Sequence, residues 1–290
     1  MRGIVLAGGN GTRLYPSTLS VSKQLLPVYN KPMIYYPLST VMLAGVQDIL
    51  LITKPEDTSQ FHNLLGDGSD FGISLHYAVQ STPTGIPDAL TIGRHFLGTE
   101  PVFLALGDNI VFGTGLTGIL RNARKCLTGA SIFSYAVNDP HRYGIVELDN
   151  GQIVKKITEK PNKPKSNLAI TGHYMLTNDS VDIARELQKS QRGEKEITDL
   201  LNFYLLGKML NHDRFSRGFA WFDCGTHASL LEASSFVETI ENRQSTMVAC
   251  LEEIALLNGW LTVDDVNQFA NTKYRESHYG GYLSELVRSL

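Results

Sequence analysis

Four short apolar runs, at residues 3–7, 49–53, 75–79 and 102–106, are separated by stretches at 32–45, 56–65 and 86–96 that are each long enough for a helix. This alternation constrains the fold more than any other feature of the chain. A strand that is apolar along its whole length, rather than at every second residue, must be covered on both faces. Such strands set between helices predict a largely parallel sheet with helices packed on either side. Just after the fourth run, Leu116, Ile119, Leu120, Ala123 and Leu127 recur at spacings of three and four, the stripe of an amphipathic helix.

The middle of the chain reads differently. Apolar runs at 131–137, 144–148, 153–157 and 169–176 follow one another quickly, and Asp149-Asn150-Gly151 is a hairpin signal, because Asn-Gly accepts the positive φ of a tight turn. Two helical patterns come next, the second with Ile197, Leu200, Leu201, Tyr204 and Leu205 on one stripe. Residues 220–224 read as a late strand, 226–243 as a long helix and 250–290 as short helices. The expected fold class is α/β: a largely parallel, Rossmann-like sheet flanked by helices, with an inserted hairpin region and C-terminal helices. The expected division is an α/β domain over 1–245 and a helical subdomain over 246–290 packed on it.

Composition excludes several classes. Lys and Arg total 26 against 29 Asp and Glu, a formal charge of −3, so there is no basic face or arm of the kind nucleic-acid binders carry. No apolar stretch approaches the ~18 residues of a membrane helix, and the first apolar run breaks at Gly8 too early for a signal-peptide core of about 7–15 residues; a cytoplasmic address is expected. Cys126, Cys224 and Cys250 are odd in number and widely spaced, which suits buried or half-buried reduced thiols better than a disulfide framework or a zinc site. The eight histidines make no metal-ligand spacing, and no Gly-x-Ser-x-Gly nucleophile elbow is present.

Ligands of open α/β sheets sit beyond the carboxyl ends of the strands, so the residues that leave each strand carry the functional information. Gly8-Gly9-Asn10-Gly11-Thr12-Arg13-Leu14 follows the first run. Its glycines expose backbone N–H groups and let a polyanion approach closely, and Arg13 adds a permanently charged planar donor. The loop lacks the Gly-Lys-Ser/Thr of ATPase phosphate loops and the third glycine of the dinucleotide fingerprint. Lys23, in Ser22-Lys23-Gln24, supplies a second cation, and the pair around a glycine nest suits a triphosphate. Asp108 in Gly107-Asp108-Asn109 and Asp223 in Trp221-Phe222-Asp223-Cys224-Gly225 are carboxylates at strand ends, the hard oxygen ligands that suit Mg²⁺. Read alone, Asp108 serves equally as a turn cap, and Lys160 in Glu159-Lys160-Pro161 as a solvated surface charge. Tyr143-Gly144 and Thr171-Gly172-His173-Tyr174 place glycine inside strands, where it marks either a bulge or the close approach of a ligand.

Taken in order, these segments resemble the sugar-phosphate nucleotidyltransferases, and within them the bacterial thymidylyl-transferring branch. The resemblance runs nearly end to end. It rests on the Gly8 to Leu14 loop, Ser22-Lys23-Gln24, Gly107-Asp108-Asn109, Asp139-Pro140 with Arg142-Tyr143-Gly144, Glu159-Lys160-Pro161, Thr171-Gly172 and Trp221-Phe222-Asp223. It implies the nucleotidyltransferase form of the α/β fold, and Mg²⁺-dependent in-line attack of glucose-1-phosphate on the α-phosphorus of dTTP. It implies that Gly8, Gly11, Arg13 and Lys23 hold the triphosphate, while Gln24, Gln80 and Gly85 read the base and its surroundings. By the same resemblance Asp108 and Asp223 hold Mg²⁺. Tyr143, Gly144, Glu159, Gly172 and Tyr174 shape the sugar pocket, and Lys160 grips the sugar's phosphate. A homo-oligomer, a tetramer, is also implied.

The chain departs from the family pattern at Ile86-Pro87-Asp88-Ala89, where Leu-Ala-Gln-Ala is usual, and at His141, where Glu is usual. Thr114 and Leu257 stand where the family has a His and an Arg of a regulatory nucleotide site, so weak or absent end-product inhibition is expected. Three readings stay open here: dTTP with glucose-1-phosphate, the same chemistry with UTP or another sugar-1-phosphate, and a non-catalytic nucleotide-sugar sensor.

Overall fold

The computed structural model describes residues 1–150 and 152–290; Gly151 of the expected hairpin turn lies outside the described residues. The first apolar run forms β1 (Arg2–Ala7). A two-residue ribbon, β2 (Pro27–Val28) with β3 (Lys31–Pro32), leads into the helix Tyr35–Leu43. The remaining runs of the first half form β4 (Asp48–Thr53), β5 (Ser74–Val79) and β6 (Val102–Leu106). The rest of the chain supplies β7 (Asn109–Gly113), β8 (Ala130–Ala136), β9 (Gly144–Leu148), β10 (Val154–Glu159), β11 (Leu168–Leu176), β12 (Leu210–Phe215) and β13 (Phe219–Asp223).

Nine of these strands form one sheet along the path β10-β9-β11-β6-β1-β4-β5, with β8 and β12 branching from β11. The α/β expectation is met. Strands β5, β4, β1 and β6 run parallel, as apolar runs between helices require. The inserted region adds antiparallel pairs, β6 with β11, β11 with β8 and β9, and β9 with β10, so the whole sheet is mixed.

Both faces are covered because successive strand residues point to opposite sides. Ile4, Leu50 and Leu104 join one apolar cluster with Leu200, Leu201 and Tyr204 of the helix Ile197–Leu206. Val5, Leu51 and Ala105 join the other, with Leu38, Val41 and Leu120. The helix Tyr35–Leu43 is buried nearly all round, hence its lack of a polar face. The expected helix at 86–96 is instead two, Asp88–Ile92 and Arg94–Leu97. They part at Gly93, which lies so close over β1 that a Cβ there would sit 2.7 Å from Ile4.

The feature that positions the site is β11. Its residues Leu168 and Ala169 pair with β9, whereas His173 to Leu176 pair with β6. On the other side, its pairing with β8 shifts register between Ile170 and Tyr174. One strand thus passes between two neighbours on the same side, and the sheet opens around Thr171 and Gly172. Downstream, the helix His227–Gln244 is capped by Thr226 and Ser229, and the helices Leu251–Leu257, Val263–Asn271 and His278–Arg288 close the chain. Cys224 and Cys250 are buried as expected, whereas Cys126 is exposed at the end of the helix Leu116–Lys125.

Candidate active site

A cavity of about 450 Å³ fills the opening beside β11. Nine of the residues singled out from sequence line it: Arg13, Asp108, Tyr143, Gly144, Glu159, Lys160, Gly172, Tyr174 and Asp223. They come from six separate segments, and the topology explains their meeting. Asp108 leaves the end of β6, and the chain turns at once into β7. Strand β13 pairs with β7 so that Asp223 is opposite Asn109, and the Cys224 N–H donates to the Asp108 carbonyl at 3.0 Å. A short ribbon therefore holds the two carboxylates side by side.

Their electrostatics differ. Burial opposes ionisation of Asp108, but the Lys23 ammonium in direct contact, together with an Asn109 hydrogen bond at 3.0 Å, keeps its carboxyl below the usual range. Burial pushes Asp223 upward, and the negative charge of Asp108 adds to that push against the opposing Arg13, Lys23 and Arg142. Arg142 reaches Asp223 at 3.2 Å. A buried and a half-buried carboxylate side by side, repelling each other and open to a cavity, are a fitting pair for a hard divalent cation. Such a cation needs only one or two protein carboxylates when phosphates complete its shell. Among the described residues no cluster of three or more His, Cys, Asp and Glu is arranged for a metal, so these two carry the fit alone.

Asn109 is the hub that the sequence reading passed over. Its Oδ1 accepts from the Gly172 N–H at 3.3 Å and from Trp221 Nε1 at 2.8 Å, while its Nδ2 donates to Asp108. It thus ties β7, β11 and β13 together beneath the cavity. Trp221 packs edge-on against Tyr143, ring centroids 5.2 Å apart, and Arg142 lies over the same tyrosine. Asn109, Arg142 and Trp221 stand in the segments that carry the resemblance, next to or two residues from Asp108, Tyr143 and Asp223, but their sequence assigns them no role of their own. Ile197 and Thr198 also line the cavity, and nothing local marks them. Ile197 reads as one more residue of an apolar stripe.

Lys160 adopts φ 37°, a left-handed conformation uncommon for a residue with a Cβ. Its N–H donates to the Tyr143 carbonyl at 3.0 Å, and the following Pro161 fixes the exit. The strained backbone holds a half-exposed ammonium at the cavity mouth, 3.7 Å from Glu159.

The remaining candidates do not line this cavity. Gly8 and Gly11 lie in the loop after β1, where Gly11 takes φ 62° and its carbonyl accepts from Thr18 Oγ1 at 2.7 Å. Gln80 lies against Gly8, where a Cβ would sit 2.7 Å from its Oε1, and the buried Nε2 of Gln80 lacks a hydrogen-bond partner. A buried amide donor left open beside a glycine nest is suited to a ligand carbonyl. Gln24 is also buried, its Oε1 accepting from Ser22 Oγ at 2.7 Å. Gly85 packs against Lys195, and the next residue, Ile86, reaches the cavity wall. Thr114 and Leu257 are not in the cavity lining, and Leu257 is 71% exposed.

The nucleotidyl transferase family model matches residues 2–240. The chain is 52% identical over 288 residues to the glucose-1-phosphate thymidylyltransferase of Neisseria meningitidis serogroup A, covering 99% of this chain and 100% of that one. It is 48% identical to the protein of that name from Mycobacterium tuberculosis, covering 99% of each. Among solved structures, a Bacillus anthracis protein carrying the same name, crystallised with a sucrose, superposes with a TM-score of 0.76 at 38% identity, covering 81% of this chain and 94% of that one. A UDP-glucose pyrophosphorylase in complex with UDP-glucose shares the fold, with a TM-score of 0.72 at 24% identity over 82% of this chain and 98% of that one.

Proposed function

The chain belongs to the nucleotidyl transferase family, and from that premise we propose that it transfers a thymidylyl group from dTTP to glucose-1-phosphate, giving dTDP-glucose and pyrophosphate. Near-complete coverage at about half identity to thymidylyltransferases of several bacteria supports the reaction. The single structural observation that carries it is the convergence of Arg13, Lys23, Lys160 and the carboxylates Asp108 and Asp223 on one cavity and its rim.

The chemistry asks little of an acid–base catalyst. The attacking sugar phosphate is already an anion at neutral pH. Its oxygen bonds to the α-phosphorus of dTTP as the bond to the bridging oxygen breaks, and pyrophosphate leaves with that electron pair. The obstacles are repulsion between two polyanions and the alignment of attack. In our assignment Gly8, Gly11, Arg13 and Lys23 hold the triphosphate, Arg13 and Lys23 offsetting its charge. Gln80, with its open amide donor, together with Gln24 and Gly85, reads the base. Tyr143, Gly144, Glu159, Gly172 and Tyr174 shape the sugar pocket, and Lys160 binds the incoming phosphate from the mouth. Asp108 and Asp223 would hold Mg²⁺, which when bound neutralises phosphate charge.

We further propose that the helices after residue 245 form a subdomain packed on the α/β domain. Met247, Cys250, Val266, Ala270 and Leu283 make a cluster of their own, while Leu251, Ile254 and Ala255 join the main core. A homotetramer working in the cytoplasm is part of the same proposal. Among the described residues, no helix is long and apolar enough to cross a membrane.

The test is pyrophosphate release with glucose-1-phosphate and Mg²⁺, comparing dTTP with UTP, ATP, CTP and GTP. Fast release with dTTP that a chelator abolishes is the expected result. Preference for another nucleotide would overturn the base assignment, and ligand binding without turnover across sugar phosphates would overturn catalysis itself.

A further inference from the structure

The base-reading loop and the sugar-pocket wall are far apart in sequence, yet they are fastened to each other. Thr84 and Lys195 meet backbone to backbone: the Lys195 N–H donates to the Thr84 carbonyl at 2.8 Å, and Gly85 forms a parallel bridge with Lys195. Gly85 takes φ 126°, and a Cβ there would sit 2.1 Å from the Lys195 carbonyl oxygen, so only glycine permits this approach. Side chains close the junction. Thr84 Oγ1 donates to Asp88 Oδ2, and the Lys195 ammonium lies 3.4 Å from Asp88 Oδ1. The same ammonium donates to the Ala184 and Arg185 carbonyls, at 2.8 and 3.3 Å, at the end of the helix Ser180–Glu186.

The segment that Lys195 belongs to runs as a strap. At one end Arg192 holds Glu159 at 3.3 Å. At the other, Ile197 and Thr198 enter the cavity lining, which Ile86 of the loop also joins. Neither Asp88 nor Lys195 lines the cavity. Asp88 is also one of the two residues that replace the family's usual Ala-Gln after Ile86.

We propose that Asp88 and Lys195 are positioning residues, a latch that makes the loop 82–88 and the strap 190–198 a single wall, so that the geometry of the base site and of the sugar site is set together. The latch rests on the assignment of Gln80 and Gly85 to the base and of Glu159 to the sugar. Breaking it leaves the reacting groups in place but loosens both binding walls at once. The effect therefore falls on the KM of both substrates rather than on kcat.

A double-mutant cycle tests this. Asp88→Asn and Lys195→Met should each raise KM for dTTP and for glucose-1-phosphate by about three- to tenfold with kcat within about twofold. The double variant should be no worse than the poorer single one, and Lys195→Arg should restore most of the loss. Multiplicative losses in the double variant, a change confined to kcat, or unchanged KM values in both single variants would overturn the latch. Should the wild-type protein prefer another nucleotide, the cycle is run with that nucleotide, so an error in base identity is seen in the wild type alone. Amide exchange reads the latch without turnover: peptides spanning 190–198 should exchange faster in Asp88→Asn than in wild type, and equal exchange would also overturn it.

Discussion

Asp108 sits between a lysine that neutralises it and a second carboxylate that repels it. In the proposed reaction its charge serves the metal and the triphosphate together. Asp108→Ala should lower kcat/KM at least about a hundredfold, ~3 kcal/mol of transition-state stabilisation. Pyrophosphate-release kinetics at saturating Mg²⁺ check this, and turnover within tenfold of wild type would remove Asp108 from the metal role. Lys160 should behave differently, because it stands half-exposed at the mouth. Lys160→Ala should raise KM for glucose-1-phosphate while leaving dTTP affinity, measured by calorimetry, nearly unchanged. Equal loss of both would contradict its assignment to the sugar phosphate. Asp108 could be read from sequence because a carboxylate leaving an apolar run of a parallel sheet lies at its ligand edge; Asp223, at the end of β13 in the separate β7–β13 ribbon, could be read only as a strand-end carboxylate. Asn109 and Trp221 could not, since their roles are hydrogen bonds across β7, β11 and β13 that exist only once those strands pair.

Elements show where local pattern ends and tertiary context begins. The parallel half follows from its apolar runs, and the helix Leu116–Lys125 from its stripe. Strand β12, Leu-Asn-His-Asp-Arg-Phe, carries no such signal, since only Phe215 in it is buried and its place beside β8 is set by the sheet. The opening of the sheet along β11 is also invisible, because a nine-residue strand buried throughout does not reveal that it changes neighbours midway. Another tertiary feature joins the β2–β3 ribbon to the helix His227–Gln244. Lys31 Nζ lies 2.8 Å from Glu241 Oε1, and both residues are buried. Glu241 also accepts from Asn30 Nδ2 at 2.6 Å and from the Val248 N–H at 2.9 Å. Burial lowers the Lys31 pKa despite Glu241, which marks how much desolvation the pair must offset. Glu241→Ala should therefore destabilise the protein by about 3–5 kcal/mol, since it strands a buried cation. Replacing both, Lys31→Met with Glu241→Leu, should recover much of that loss. Urea unfolding of wild type and the two variants decides it; a double variant no more stable than Glu241→Ala would show that the other two hydrogen bonds to Glu241, and not the charge pair, hold the helix.

The whole molecule carries an acid sensitivity seated in β11. His173 is fully buried between β6 and β8, near Phe103, with its Nε2 lacking any hydrogen-bond partner. Burial pushes its pKa down to about 4. The folded state therefore keeps the ring neutral where the unfolded chain, titrating near 6.5, takes up a proton. The sign follows from that difference. Above the unfolded value neither state is protonated and the histidine does not tilt the balance. Between 6.5 and 4 the unfolded state binds the proton first, and stability falls until the folded ring titrates as well. The loss at pH 4 is about 3 kcal/mol from this residue. His212, held to Ser134 at 2.7 Å and also lowered to about 4 by burial and then by Arg214, adds in the same direction. Both rings lie in the one nine-stranded sheet, so their protonation is linked to unfolding of that sheet and not to fraying of an end. Other groups titrate in the same range, so the measurement is a difference: urea unfolding of wild type and His173→Asn at pH 7 and pH 4. The wild type should lose about 3 kcal/mol more than the variant across that interval. Equal losses would mean that His173 reaches a proton in the folded state, and that the sheet around Gly172 opens far more readily than its burial indicates.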